Sequence, residues 1–168
     1  MNEVKPMITY IDGPEVRITE NDGIFVDVEF FFSKEKKTAL EPHRLFAKSG
    51  SDKYIVLLDE EGDQVAIIRD INLLSPDSQL VVRRALDEYY MIPKIKRFIK
   101  MTEKYKIWMW TAETDRGIMT FEIRNHIASV KPLYDGRVLI KDADDNRYEI
   151  PDYRKMDKRS IRMLEPKL

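Results

Sequence analysis

Cysteine is absent from the 168 residues. Its absence excludes disulfides, thiolate metal sites and a cysteine nucleophile, and it favours a reducing compartment. Histidine is nearly absent. His43 and His126 are too few for a histidine-built zinc site without further ligands, so both are assigned to surface loops and no metal is expected. The six glycines form neither a GxGxxG nor a GxxxxGK(S/T) pattern, so no phosphate-cradling loop is expected. Ser49-Gly50-Ser51 reads as a flexible loop, not a nucleophile elbow. Apolar runs are short, as in Phe30-Phe31-Phe32, and none approaches the roughly 20 residues that span a bilayer. The start, MNEVKPMITYIDG, lacks the basic-then-apolar pattern of a secretory signal. The chain is therefore expected to be soluble and non-catalytic, with no catalytic residue and no cofactor to name.

What is present fits a folded chain. Hydrophobic residues make up 43% and charged residues 35%, a balance that disordered sequences do not show. The length suits a single domain over 1–168. The net charge of −1 conceals an asymmetry. Residues 1–93 carry 11 Lys and Arg against 18 Asp and Glu, and residues 94–168 carry 18 against 12. Either the basic half meets an anionic partner or the two halves attract each other.

Strand patterns dominate. Ile24, Val26, Val28, Phe30 and Phe32 alternate with Asp27 and Glu29, which is the period of a half-buried strand. Asn21-Asp22-Gly23 is turn chemistry, and Val16 to Thr19 is the expected partner strand. Three more hairpins are expected: Tyr54 to Leu58 with Gln64 to Ile68, Ile107 to Trp110 with Ile118 to Ile123, and Arg137 to Lys141 with Arg147 to Ile150. Trp108 and Trp110 point to one face and Ile107 and Met109 to the other, so this strand is expected to be central and covered on both sides. Lys94 to Met101 reads as a further strand, with Thr102 to Lys104 turning into the Trp strand.

Helix is scarcer. Ser75 can cap and Pro76 suits a first helical position, so a helix is expected over about 76–91, closed by Pro93. A shift of 82 residues lays Val56-Leu57-Leu58 on Val138-Leu139-Ile140, Asp70 on Asp152, and Ser78 on Ser160, with Asp157 replacing Ser75 as the cap of a short helix over about 158–164. The expected fold is mainly β (α+β): antiparallel hairpins and meander from two diverged tandem repeats, about 16–91 and 94–168, sharing one core. Asp70, Ser75, Asp152 and Asp157 are assigned as structural caps.

Asp142 to Asn146 resembles the start of a calcium loop, but Arg147 replaces the required Gly and Tyr153 the closing Glu. It is read as a polar hairpin tip. The basic side chains Lys94, Lys96, Arg97, Lys100, Lys104 and Lys106, opposed only by Glu103, lie among Phe98, Tyr105, Trp108 and Trp110. Lysines that neutralise phosphates beside aromatics that stack on bases describe a surface for single-stranded RNA or DNA. The same residues also describe a core with a solvated basic face. Arg154, Lys155, Lys158, Arg159 and Arg162 form a second basic set.

The ordered residues Leu86 to Tyr90, Ile92-Pro93-Lys94-Ile95, Trp110-Thr111, Thr114-Asp115-Arg116-Gly117 and Phe121 resemble a bacterial family, domain of unknown function 1854. Asp135-Gly136-Arg137, Asp142, Arg147-Tyr148, Ile150-Pro151-Asp152, Met156-Asp157, Ser160 and Leu164 extend the likeness over about residues 17 to 165. The resemblance implies association with ABC-type exporters. A chain of this kind would be an accessory or regulatory protein on the cytoplasmic side, with transporter subunits as partners. Nucleic acid and a second copy of the chain are the other partner classes left open.

Overall fold

The chain is described from a computed structural model over residues 7–46 and 52–168, the side chain of Tyr90 excepted. The Ser49 to Ser51 stretch lies outside these residues. Two compact units are present, Met1–Met91 and Ile92–Leu168. Buried apolar side chains form one cluster in each unit.

The first unit holds β1 (Thr9–Ile11), β2 (Val16–Asn21), β3 (Phe25–Phe30), β4 (Glu35–Arg44), β5 (Lys53–Leu58) and β6 (Gln64–Asp70). They form one sheet in the order β1-β6-β5-β4-β3-β2. Every pairing is antiparallel except β1 with β6. The β2–β3 hairpin closes through Asp22 and Gly23, both at positive φ, as the turn chemistry predicts. β3 ends at Phe30, two residues earlier than the alternation suggests, and Phe32 is exposed. β4 escaped the sequence reading because its first four residues are polar and exposed, leaving no alternation to detect. Helix α1 (Pro76–Met91) covers the sheet with Val82, Ala85 and Leu86 against Val26, Val28 and Leu40.

The second unit holds β7 (Ile95–Lys104), β8 (Ile107–Thr114) and β9 (Gly117–Ile123) in one antiparallel sheet. A short helix α2 (His126–Ser129) leads into β10 (Val130–Pro132), which pairs with β11 (Val138–Lys141) and β12 (Arg147–Ile150) in a second sheet. Helix α3 (Lys158–Leu164) follows. Phe98, Trp110, Phe121 and Tyr148 form the centre of this interior, with Trp110 edge-on to Phe98 and Phe121 stacked on Tyr148 at 4.1 Å. The turn expected at Thr102 to Lys104 is strand, and the chain reverses instead at Tyr105 and Lys106.

One pair of devices occurs in both units. Asp70 and Asp152 each accept the N–H two residues on, from Asn72 at 2.9 Å and Arg154 at 3.1 Å, and each opens a short 3-10 turn. Ser78 and Ser160, 1% and 0% exposed, each accept a strand N–H, from Ile18 at 3.0 Å and Phe98 at 2.8 Å. The Ser160 hydroxyl donates to Asp157 at 2.6 Å, and Asp157 accepts the Ser160 N–H at 3.0 Å, so the α3 cap and the strand share one oxygen. The Ser75 hydroxyl donates to Ser78 Oγ at 3.0 Å in the corresponding place. The Asp157 carboxyl is held below its ordinary value by the Ser160 hydroxyl and by the backbone N–H groups of the cap.

Removing one of these hydroxyls strands a buried N–H, at a cost of about 1–3 kcal/mol. Ser160→Ala is therefore expected to lower stability by about that amount. Both Trp residues lie in the second unit, so tryptophan emission in a urea titration reads the loss directly. A midpoint that does not move removes the structural role.

Candidate recognition surface

β8 is the middle strand of its sheet, but only one of its faces is covered. Trp110 and Ala112 are buried. Ile107 and Met109, on the other face, are 38% and 40% exposed. The expectation of cover on both sides fails because no element of this unit packs across the second face, and a middle position in a three-stranded sheet supplies neighbours at the edges only.

The register defines that open face. Opposite Ile107, Met109, Thr111 and Glu113 stand Lys104, Thr102, Lys100 and Arg97 on β7. On the β9 side, Glu122, Thr120 and Ile118 stand opposite Met109, Thr111 and Glu113. Ile118 is 68% exposed. The hydroxyls of Thr111 and Thr120 lie 3.0 Å apart and bond each other, which lowers the polarity of the strip between Met109 and Ile118. A band of apolar side chains, interrupted by Thr111, Thr120 and Glu122, therefore crosses β8 and β9, bordered along β7 by basic side chains.

The six predicted basic residues do not act as one group. Lys94 sits largely under cover, its Nζ 3.2 Å from Glu149 Oε2, a charge contact without the alignment of a hydrogen bond. Its N–H donates to Asp115 at 2.8 Å. Arg97 is paired with Glu113, and each holds the other in its charged form: the carboxyl is pushed down and the guanidinium up by their hydrogen bond. Lys96 is exposed beside the same carboxylate, whose charge it helps to stabilise. Lys100, Lys104 and Lys106 are exposed and have no carboxylate partner among the described residues. The aromatics divide in the same way. Trp110 is fully buried, and Trp108 is part-buried with the Lys167 ammonium 3.4 Å above its ring centroid. Tyr105 alone stands out, 86% exposed, with Lys104 Nζ 5.3 Å from its ring.

Tyr105 and Lys106 are also conformationally unusual. Both have positive φ, 54° and 64°, in a two-residue turn between the paired Lys104 and Ile107. That is the geometry of a type I′ hairpin, which favours Asn-Gly because a side chain in the left-handed region crowds its own backbone. Here two large side chains occupy both positions.

The carboxylates read as caps or loops from the sequence are satisfied by the chain itself. Asp142 Oδ1 accepts the N–H groups of Asp144 and Asn146, both at 2.9 Å, and Oδ2 accepts the Tyr148 hydroxyl at 3.1 Å. Burial pushes the Tyr148 hydroxyl up to about 12, helped by its bond to Asp142. Asp152 is held low by the Arg154 guanidinium, 2.8 Å away. Asp59, Glu61 and Asp63 bring oxygens within 4.8 Å of one another, and Asp59 accepts the N–H groups of the other two. His43 Nε2 is 3.0 Å from Glu41 Oε1, and His126 opens α2. A cleft of about 420 Å³ beside the start of α1 is lined by Val16, Phe31, Ser75 and Ser78 among others. Its two serine hydroxyls already serve the junction with Ile18.

Two outcomes are expected. A folded-state value raised above the ordinary tyrosine value means that Tyr148 stabilises the fold fully below about pH 10 and loses that contribution as pH rises towards 12. Ultraviolet titration should show one tyrosine ionising last, and Tyr148→Phe should remove that step. Early titration of every tyrosine contradicts the burial. Separately, Tyr105→Asn with Lys106→Gly relieves the strained turn and should raise stability by about 1–2 kcal/mol by urea unfolding, since each left-handed side chain costs about that order. A destabilised double variant means that the turn is held by these side chains.

Comparison with curated proteins and with solved structures gives no match. A family model does match, covering residues 37–166, the greater part of the chain. The match takes in β4 through α3, and with it the whole of the open sheet and the capped helix behind it. On that evidence the chain belongs to the family described as Domain of unknown function (DUF1854).

Proposed function

We propose that this chain works by recognition and not by catalysis, as an accessory or regulatory subunit of an ABC-type exporter on its cytoplasmic side. The observation that carries the reading is the open face of the β7–β9 sheet. A sheet that buries one side in a core and leaves Ile107, Met109 and Ile118 facing water presents apolar area of the kind that partners cover. Family membership supports the exporter as the partner through the resemblance given above. The titratable groups displaced from their ordinary values support the non-catalytic half of the reading. Asp152, Asp157 and Tyr148 each owe the shift to a contact that holds a turn, a cap or the core. The recurrence of the Asp-opened turn and the buried serine supports the further reading that the two units are diverged copies of one half.

Exposed Lys96, Lys100, Lys104 and Lys106 favour the second reading, a single-stranded nucleic-acid surface. It has less support, since Trp110 is enclosed and a buried ring stacks on no base.

Co-expression with the polypeptides of an exporter encoded beside it is expected to give a retained complex and an altered ATPase rate. No complex and no change in rate would rule the accessory role out. Steeply salt-dependent binding of single-stranded RNA or DNA, lost when Lys96, Arg97 and Lys100 are changed together to Glu, would favour the second reading.

A further inference from the structure

The open sheet face is asymmetric in charge, and the asymmetry describes what it binds. Away from β7 its charges are neutralised internally. Glu113 is paired with Arg97, and Glu122 accepts from Arg124 at 2.7 Å. Along β7 and its turn, Lys100, Lys104 and Lys106 have no carboxylate partner among the described residues. Beside them runs the apolar band of Ile107, Met109 and Ile118. At the end of the hairpin, Tyr105 is kept exposed in a turn that a smaller residue would fit better. Large side chains retained at a strained, exposed turn are expected where they make contact with something.

We infer that this face binds an amphipathic helix of a partner protein, its apolar ridge laid along β8 and its Asp or Glu side chains over Lys100, Lys104 and Lys106. The inference rests on the recognition reading above and adds the chemistry of the partner. From Ile107 to Glu113 the middle strand runs about 20 Å at roughly 3.3 Å per residue. A helix of about 13 residues has the same length. A helix fits this face better than an added strand, because a strand would pair along the outer edge of β7 or β9 and leave Ile107 and Met109 on β8 uncovered. A bilayer fits less well, since the Thr111–Thr120 pair and the Glu113–Arg97 and Glu122–Arg124 ion pairs share this face with the apolar side chains and would lose their water with them. Nucleic acid fits less well again, with Tyr105 the one fully presented ring of this sheet.

The test uses the full chain and three labelled synthetic helical peptides of 18 residues. One carries Leu at i, i+3, i+4 and i+7 with Glu along one flank. The second has Lys in place of Glu, and the third has Ser in place of Leu. Phosphatidylglycerol vesicles and a 20-nucleotide oligo-dT are run beside them. The acidic Leu peptide is expected to bind and the other two to bind at least about tenfold more weakly. Lys100→Glu with Lys104→Glu should weaken binding by about tenfold or more, and raised salt should act in the same direction. Tyr105→Asn with Lys106→Gly, a change that relieves the turn, should weaken binding without unfolding the chain. Lys34→Glu, on the first unit, should leave it unchanged. Equal binding of the lysine peptide, no binding of the acidic one, or preferential capture by vesicles or oligo-dT overturns the inference. An exporter complex that survives the double charge reversal also overturns it while leaving the accessory role standing. If no exporter complex forms, the accessory role fails and the peptide titration still decides this face.

Discussion

The second unit depends on one oxygen. Ser160 Oγ accepts the Phe98 N–H, donates to Asp157, and is completely enclosed. A buried strand N–H must find an acceptor, and a helix start must find a cap. Here a single hydroxyl joins the two requirements, so α3 cannot leave β7 without stranding donors on both. Its consequence is one-sidedness. With α3 and the aromatic cluster held against one face of the β7–β9 sheet, the other face is left to solvent.

That open face combines features that elsewhere occur singly. Some exposed charges elsewhere close on near neighbours, as Arg154 does on Asp152 and Arg83 on Asp52. Such contacts contribute little stability but leave little field unspent. Lys100, Lys104 and Lys106, without a carboxylate partner among the described residues, lie beside apolar side chains, in a hairpin whose turn carries Tyr and Lys where Asn and Gly would cost less. Apolar area, unneutralised charge of one sign and local strain coincide on one hairpin. Each alone is ordinary. Their coincidence ties the chemistry of the surface to recognition, where affinity comes from the apolar band and orientation from the charge.

Local chemistry was legible wherever it was self-contained. Ser75, Pro76 and Pro93 marked α1, Asp157 marked the start of α3, and Asn21-Asp22-Gly23 marked a turn that requires positive φ. β1 and β4 were not legible. The first has three residues and borrows its order from β6, and the second is polar along much of its length. Of the candidate site, the basic stretch was visible as composition, but its division was not. That Arg97 is held by Glu113 follows from the β7–β8 register, and that Lys94 meets Glu149 follows from a bridge to β12, which leaves Lys96, Lys100, Lys104 and Lys106 exposed. The turn was misplaced by two residues because nothing in Tyr105-Lys106 resembles turn chemistry.

The sequence by itself determined the strand and helix content, the caps, and the absence of thiol chemistry, because propensity, capping and composition act within a few residues. Only the tertiary structure decided that the buried residues gather into two clusters, that Trp110 is enclosed while Met109 faces water, and which lysines lack partners. Alternation tells which residues share a face of a strand. Whether anything covers that face depends on packing between elements distant in the chain.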